Sequence, residues 1–101
     1  MHFMKQANQC STIDEVREAI DIIDNHIIEL LGQRFEYVKE IIRFKKPDQD
    51  SIIAQQRFNE VIASRRKLAE KNGLNPDVIE SMYRELLSHF IDEEMKLFNL
   101  K

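Results

Sequence analysis

Five side chains carry most of the chemistry that this sequence can do: Arg17, Arg34, Lys45, Arg57 and Glu94. Each stands three or four residues from apolar neighbours, the spacing that puts side chains on one face of a helix. Arg17 falls in step with Ile13 and Ile20, Arg34 with Val38, Lys45 with Ile41, Arg57 with Ala54 and Val61, and Glu94 with Tyr83, Leu87 and Phe90. Charge at the border of a core is costly unless it is paired. If all five groups ionise they sum to about +3 in a chain whose formal net charge is -3, so the cluster calls for an anion. Asp14, Glu15, Asp21, Glu36 and Glu40 read as solvent-facing, which leaves a small ligand with two carboxylates as the better match. Arginine suits such a ligand because its planar fork holds a carboxylate with two parallel hydrogen bonds. The alternative is that each arginine carries its charge to water at a helix edge.

Other chemistries find little support. His2, His26 and His89 lack the spacing of metal ligands. Cys10 is the only cysteine, so the chain forms no internal disulfide and reads as belonging to a reducing, cytoplasmic setting. There is no phosphate-binding glycine loop. The negative balance argues against a nucleic-acid partner recognised through a broad basic surface. No apolar run approaches the roughly 20 residues of a membrane span.

The elements that must position these residues are helices. Charged residues make up 33% of the 101, with only two Gly and two Pro, a balance that favours an all-α domain. Residues 1–11 read as a flexible lead-in and residues 12–101 as one helical domain. Thr12 caps a first helix, with Glu15 placed to complete a capping box. Its apolar stripe runs from Ile13 through Ile20, Ile27 and Leu31 to Ile41, and nothing interrupts it before Pro47. Gly32 sits inside at a cost of about 1 kcal/mol relative to Ala, which close approach of another helix would explain. A loop then leads to a second helix from about Ile52 to Asn72, capped by Asp50 or Ser51 and closed by Gly73. Asn75 and Pro76 open a third helix that reaches Phe98.

A first helix of about 33 residues is roughly 50 Å long. A compact monomer of this size has a radius of gyration near 13 Å. Two shorter helices cannot cover such a stripe, so the long helices are expected to pair in a dimer. A break near Gly32 would give a monomeric four-helix bundle instead. Arg17 and Arg34 are about 25 Å apart on one straight helix, so only an antiparallel dimer brings one of each together in a shared site.

The segments VREAIDIID, LLGQRFEYVKEIIRFK, AQQRF, AEKNGL and FIDEEMKLF, in that order, make the chain similar to the all-helical chorismate mutase family. The resemblance runs from about Thr12 to Phe98 and is greatest to the isochorismate pyruvate lyase branch, which makes salicylate for siderophores. It implies an intertwined homodimer of three-helix subunits, the type II chorismate mutase fold, acting without a cofactor on a dicarboxylate. By position it makes Arg17 an arginine donated by the partner subunit, and Arg34 and Arg57 substrate-binding arginines. Lys45 becomes the catalytic lysine beside a mobile loop, and Glu94 occupies a place where glutamine is common.

Two departures favour the lyase over a mutase that turns chorismate into prephenate. Mutases of this class usually carry Asp three residues before the third arginine and Glu directly after it, and here those positions are Ala54 and Phe58. Glu94 raises a different point. Glutamine donates a hydrogen bond to the substrate's ether oxygen, and glutamate does so only when protonated; otherwise it pairs with Lys45. A non-catalytic dimeric module that binds partner helices would explain the apolar stripes but not the inward cations.

Overall fold

The computed structural model describes residues 5–98, all helix and connecting turns. Two compact units divide between Tyr37 and Val38. In the first, a single 3-10 turn at Ala7–Gln9 precedes the long helix; residues 1–4 of the expected lead-in lie outside the described residues. The helix, α1, spans Ile13–Ile41. Thr12 Oγ1 accepts the Glu15 amide at 3.1 Å, as the capping box requires. The Glu15 carboxylate reaches one residue further back, to the Ser11 amide at 3.0 Å. That bond and the contact with Lys5 hold its pKa below the usual carboxylate value.

The first helix is unbroken at Gly32, which removes the four-helix reading. A Cβ built there meets nothing within 4 Å, so no close approach inside the chain accounts for the glycine. None of the residues of α1 is buried. Ile13, Ile20, Ile27 and Leu30 keep 63%, 51%, 47% and 60% of their surface, a continuous apolar stripe in water.

α1 ends sooner than Pro47 alone would require. It stops at Ile41, tightens into a 3-10 turn over Ile42–Phe44 and reaches extended backbone at Lys45. Pro47 disfavours helical backbone at Lys46, and a tightened last turn is the usual way a helix gives out ahead of such a residue.

The second unit contains the remaining elements. The expected second helix is in fact two. A short α2, Gln49–Ile53, is capped by Asp48, whose Oδ1 accepts the Ser51 amide at 2.7 Å. The cap therefore falls earlier than Asp50 or Ser51, because Asp48 is the first residue after Pro47 able to satisfy the turn. Ala54 then takes left-handed backbone, φ 46 and ψ 63, and α3 runs over Gln55–Lys71. Gly73, at φ 74, closes α3 with the Leu74 amide on the Ala69 carbonyl at 2.8 Å. α4 spans Pro76–Leu97, and Asn75 Oδ1 accepts the Asp77 amide at 2.8 Å as its cap.

α3 packs on α4, and α2 lies against α4. The fully buried apolar side chains of the described residues are Ile52, Val61, Ile62 and Ala69. Arg66 ties α3 to α4 near their turn, 2.9 Å from Asp77 and 2.7 Å from Glu80. Four buried apolar residues make a small core for a chain that is 43% apolar, since small domains have little stability to spare.

Candidate active site

Lys45 and Glu94, 49 residues apart, meet. Lys45 Nζ lies 3.3 Å from each oxygen of the Glu94 carboxylate. Its third partner is the main-chain oxygen of Ile52, at 2.7 Å. The extended backbone after the 3-10 turn delivers Lys45, and the last turns of α4 deliver Glu94. Only 18% of the lysine side chain and 6% of the glutamate side chain reach solvent, so water screens the pair little.

The pair is not tight. A charge-assisted N–H to O contact usually closes to about 2.7–2.9 Å, and both arms to Glu94 are longer. Burial pushes the Glu94 pKa above the ordinary carboxylate value, and the attraction and hydrogen bond of Lys45 pull it only part of the way back. Glu94 is thus a carboxyl group held toward its neutral form beside an ammonium, a pair able to offer hydrogen to an oxygen that gains negative charge.

The three arginines sit differently. Arg34 is half-buried on α1, whereas Arg17 and Arg57 are exposed. The expected inward set is therefore Lys45, Glu94 and, in part, Arg34. Arg17 and Arg34 share α1 at a separation of about 25 Å and do not meet within one chain. Arg57 stands in the first turn of α3, where no side chain caps the amides, and lines an open hollow of about 410 Å³ with Ala54, Gln55, Gln56 and Glu60. A cation among uncapped amides suits a carboxylate.

Ala54 and Phe58 present no acidic group. Phe58 is half-buried, with the Arg84 guanidinium 5.8 Å from its ring centroid. Sequence reasoning missed Ile52, whose contribution is a carbonyl that no side-chain pattern announces. It also missed the left-handed turn at Ala54, which sits at the residue type with the highest helix propensity.

The profile of the chorismate mutase type II family matches residues 16–95, a span that holds all five of these residues. The chain is 36% identical over 93 residues to an isochorismate pyruvate lyase of Pseudomonas aeruginosa, covering 92% of this chain and 91% of that one. It is also 36% identical over 72 residues to a T-protein of Enterobacter agglomerans and 31% over 75 residues to one of Haemophilus influenzae. Those matches take in 71% and 74% of this chain but only 19% and 20% of the T-proteins.

Proposed function

The chain belongs to the chorismate mutase type II family, and on that premise we propose that it is an isochorismate pyruvate lyase, a homodimer that converts isochorismate to salicylate and pyruvate. The similarity to a lyase over nine-tenths of both chains supports the reading. The observation that favours lyase over mutase lies at positions 54 and 58, where alanine and an arginine-stacked phenylalanine stand in place of an acidic pair. A mutase needs an acceptor for the ring hydroxyl of chorismate, and neither side chain supplies one. The family profile keeps a second reading in view, conversion of chorismate to prephenate, as the main or a side activity.

In the proposed reaction the C–O bond of isochorismate breaks as a hydrogen passes from the ring to the enolpyruvyl methylene. The step is pericyclic and calls for no cofactor. The protein's work is to hold the reactive conformer and to stabilise charge on the ether oxygen. Arg34 and Arg57 of one subunit and Arg17 of its partner grip the carboxylates. Lys45 faces the ether oxygen, and the segment after it folds over the substrate. The dimer that this requires also covers the exposed stripe of α1. Residues 12–101 act as one domain in it, and the cytoplasm is the setting we assign. No helix among the described residues is long and apolar enough to cross a membrane. Fluorescent salicylate released from isochorismate by the purified protein tests the reaction; pyruvate without salicylate, or neither, rejects it.

Glu94 donates a hydrogen bond only as the neutral acid, so turnover falls as pH rises through its raised pKa. Replacing it in Glu94→Gln fixes a donor at every pH and flattens that limb. The same group links stability to pH. The folded state binds its proton more tightly than the unfolded chain does, so its contribution is present at low pH. It is lost as pH rises from the ordinary carboxylate value through the raised one. Melting curves of wild type and Glu94→Gln across pH 4 to 8 check this: the wild-type curve carries an extra downward slope that the variant lacks. A flat kcat profile for the wild type between pH 5 and 8 contradicts the role.

A further inference from the structure

We propose that Ile52 is a positioning residue for Lys45: its buried side chain seats α2 on α4, so that its carbonyl holds the lysine ammonium toward the site. The inference rests on the assignment of Lys45 to catalysis. If Glu94 is neutral when the enzyme works, Lys45 loses its counter-ion, and a four-carbon side chain with a strongly hydrated head is free to swing into water. Something else has to hold the ammonium without cancelling its charge.

The Ile52 carbonyl does that. It lies 2.7 Å from Nζ, shorter than either arm to Glu94, and it is neutral at every pH. Its availability comes from the turn that follows. In a helix continuing from α2 into α3 the carbonyl of Ile52 would accept the amide of Gln56. The left-handed backbone at Ala54 breaks the ladder between the last bond of α2, from the Ala54 amide to the Asp50 carbonyl, and the first of α3, from the Phe58 amide to the Ala54 carbonyl, each 2.9 Å. Left-handed backbone is strained for alanine, so the surroundings must enforce it.

Ile52 is what enforces it. With 1% of its surface exposed it is the most deeply buried of the described residues. Asp48 fixes the start of α2 and Ala54 its end. Together they leave the helix a single turn long, with the Ile52 side chain inside and its oxygen directed at Lys45. The loop between α1 and α3 thus carries its own anchor for the lysine that opens it.

Lysine ammonium groups held in hydrogen bonds exchange hydrogen slowly enough to be seen by nitrogen-15 NMR in cold, mildly acidic buffer, and this readout needs no substrate. The Lys45 ammonium is expected to be visible in the wild type and in Glu94→Gln, and lost to solvent exchange in Ile52→Ala, with the other backbone signals in place. In steady-state kinetics Ile52→Ala lowers kcat about tenfold with KM moving less than about threefold, and Ile52→Val recovers most of it. Ala54→Val, which disfavours the left-handed turn while keeping Ile52, repeats the Ile52→Ala pattern and serves if that variant does not fold. The proposal is overturned if the wild-type Lys45 ammonium exchanges as fast as the exposed Lys67 and Lys71. It is also overturned if Ile52→Ala and Ala54→Val keep the slow signal. A slow signal that responds as described, in a protein that makes no salicylate, would retain the anchor and reject the lyase reading.

Discussion

Replacing Lys45 with alanine lowers kcat by about two to three orders of magnitude and changes KM by less than about threefold. In bound isochorismate the ether oxygen is neutral and gains little from an ammonium. As the C–O bond stretches, that oxygen takes on negative charge inside a site where the nearby carboxyl is 6% exposed and screening is weak. An interaction that grows only in the transition state appears in kcat and hardly in KM. The variant also leaves Glu94 buried beside no cation, and removing that attraction raises its pKa further, so the folded protein accepts the loss by keeping the acid neutral. Steady-state kinetics with melting curves on the same samples check the prediction. A rise in KM with kcat unchanged would remove Lys45 from the chemical step.

Charging the stripe of α1 is the second large effect. Ile27→Asp raises the dimer dissociation constant by about two to four powers of ten. Burying one such side chain is worth about 1.5–3 kcal/mol, and in a two-fold dimer each substitution counts twice. Light scattering reads it directly, as a fall from twice the 12.0 kDa chain mass to the chain mass. Turnover falls with it if the site is shared. Sharing has its own signature. Arg17→Ala and Arg34→Ala are each inactive as pure dimers, because each spoils both sites. Refolded together in equal amounts they return about a quarter of wild-type activity. Half of the dimers are then mixed, and each mixed dimer has one intact site of two. No recovery on mixing would show that Arg17 and Arg34 serve the same subunit or no site at all.

The sequence was legible where local chemistry decides structure. Asn75 and Pro76 open α4 as their types require, Gly73 closes α3, and the isoleucine steps trace α1 through Gly32. It was illegible where a distant contact overrules local preference. Alanine is the best helix former, so nothing local marks Ala54 as a break; what accompanies the turn is Ile52, 1% exposed in a short helix that lies against α4. The short α2 was hidden in the same way, because its existence depends on that turn. The candidate site divides along similar lines. Helical spacing set Lys45 and Glu94 toward the core; Glu94 does so from α4, whereas Lys45 arrives from extended backbone beyond the end of α1, and their mutual contact spans 49 residues and needed the fold. The same spacing set Arg17 and Arg57 inward, and in the single chain they are exposed. Spacing records which face a residue shares, and an uncovered face looks identical in sequence to a covered one.

The assignment of the reaction rests on Ala54 and Phe58, and one measurement addresses it most directly: kcat/KM of the purified protein for isochorismate and for chorismate under the same conditions. Salicylate is followed by fluorescence and prephenate by loss of chorismate absorbance. A site without the acidic pair binds the chorismate transition state poorly and loses little with isochorismate, so the account predicts an efficiency at least about tenfold greater for isochorismate, or roughly 1.4 kcal/mol of discrimination. Prephenate formed as efficiently as salicylate, or in its place, would contradict it and make the protein a mutase that dispenses with those carboxylates.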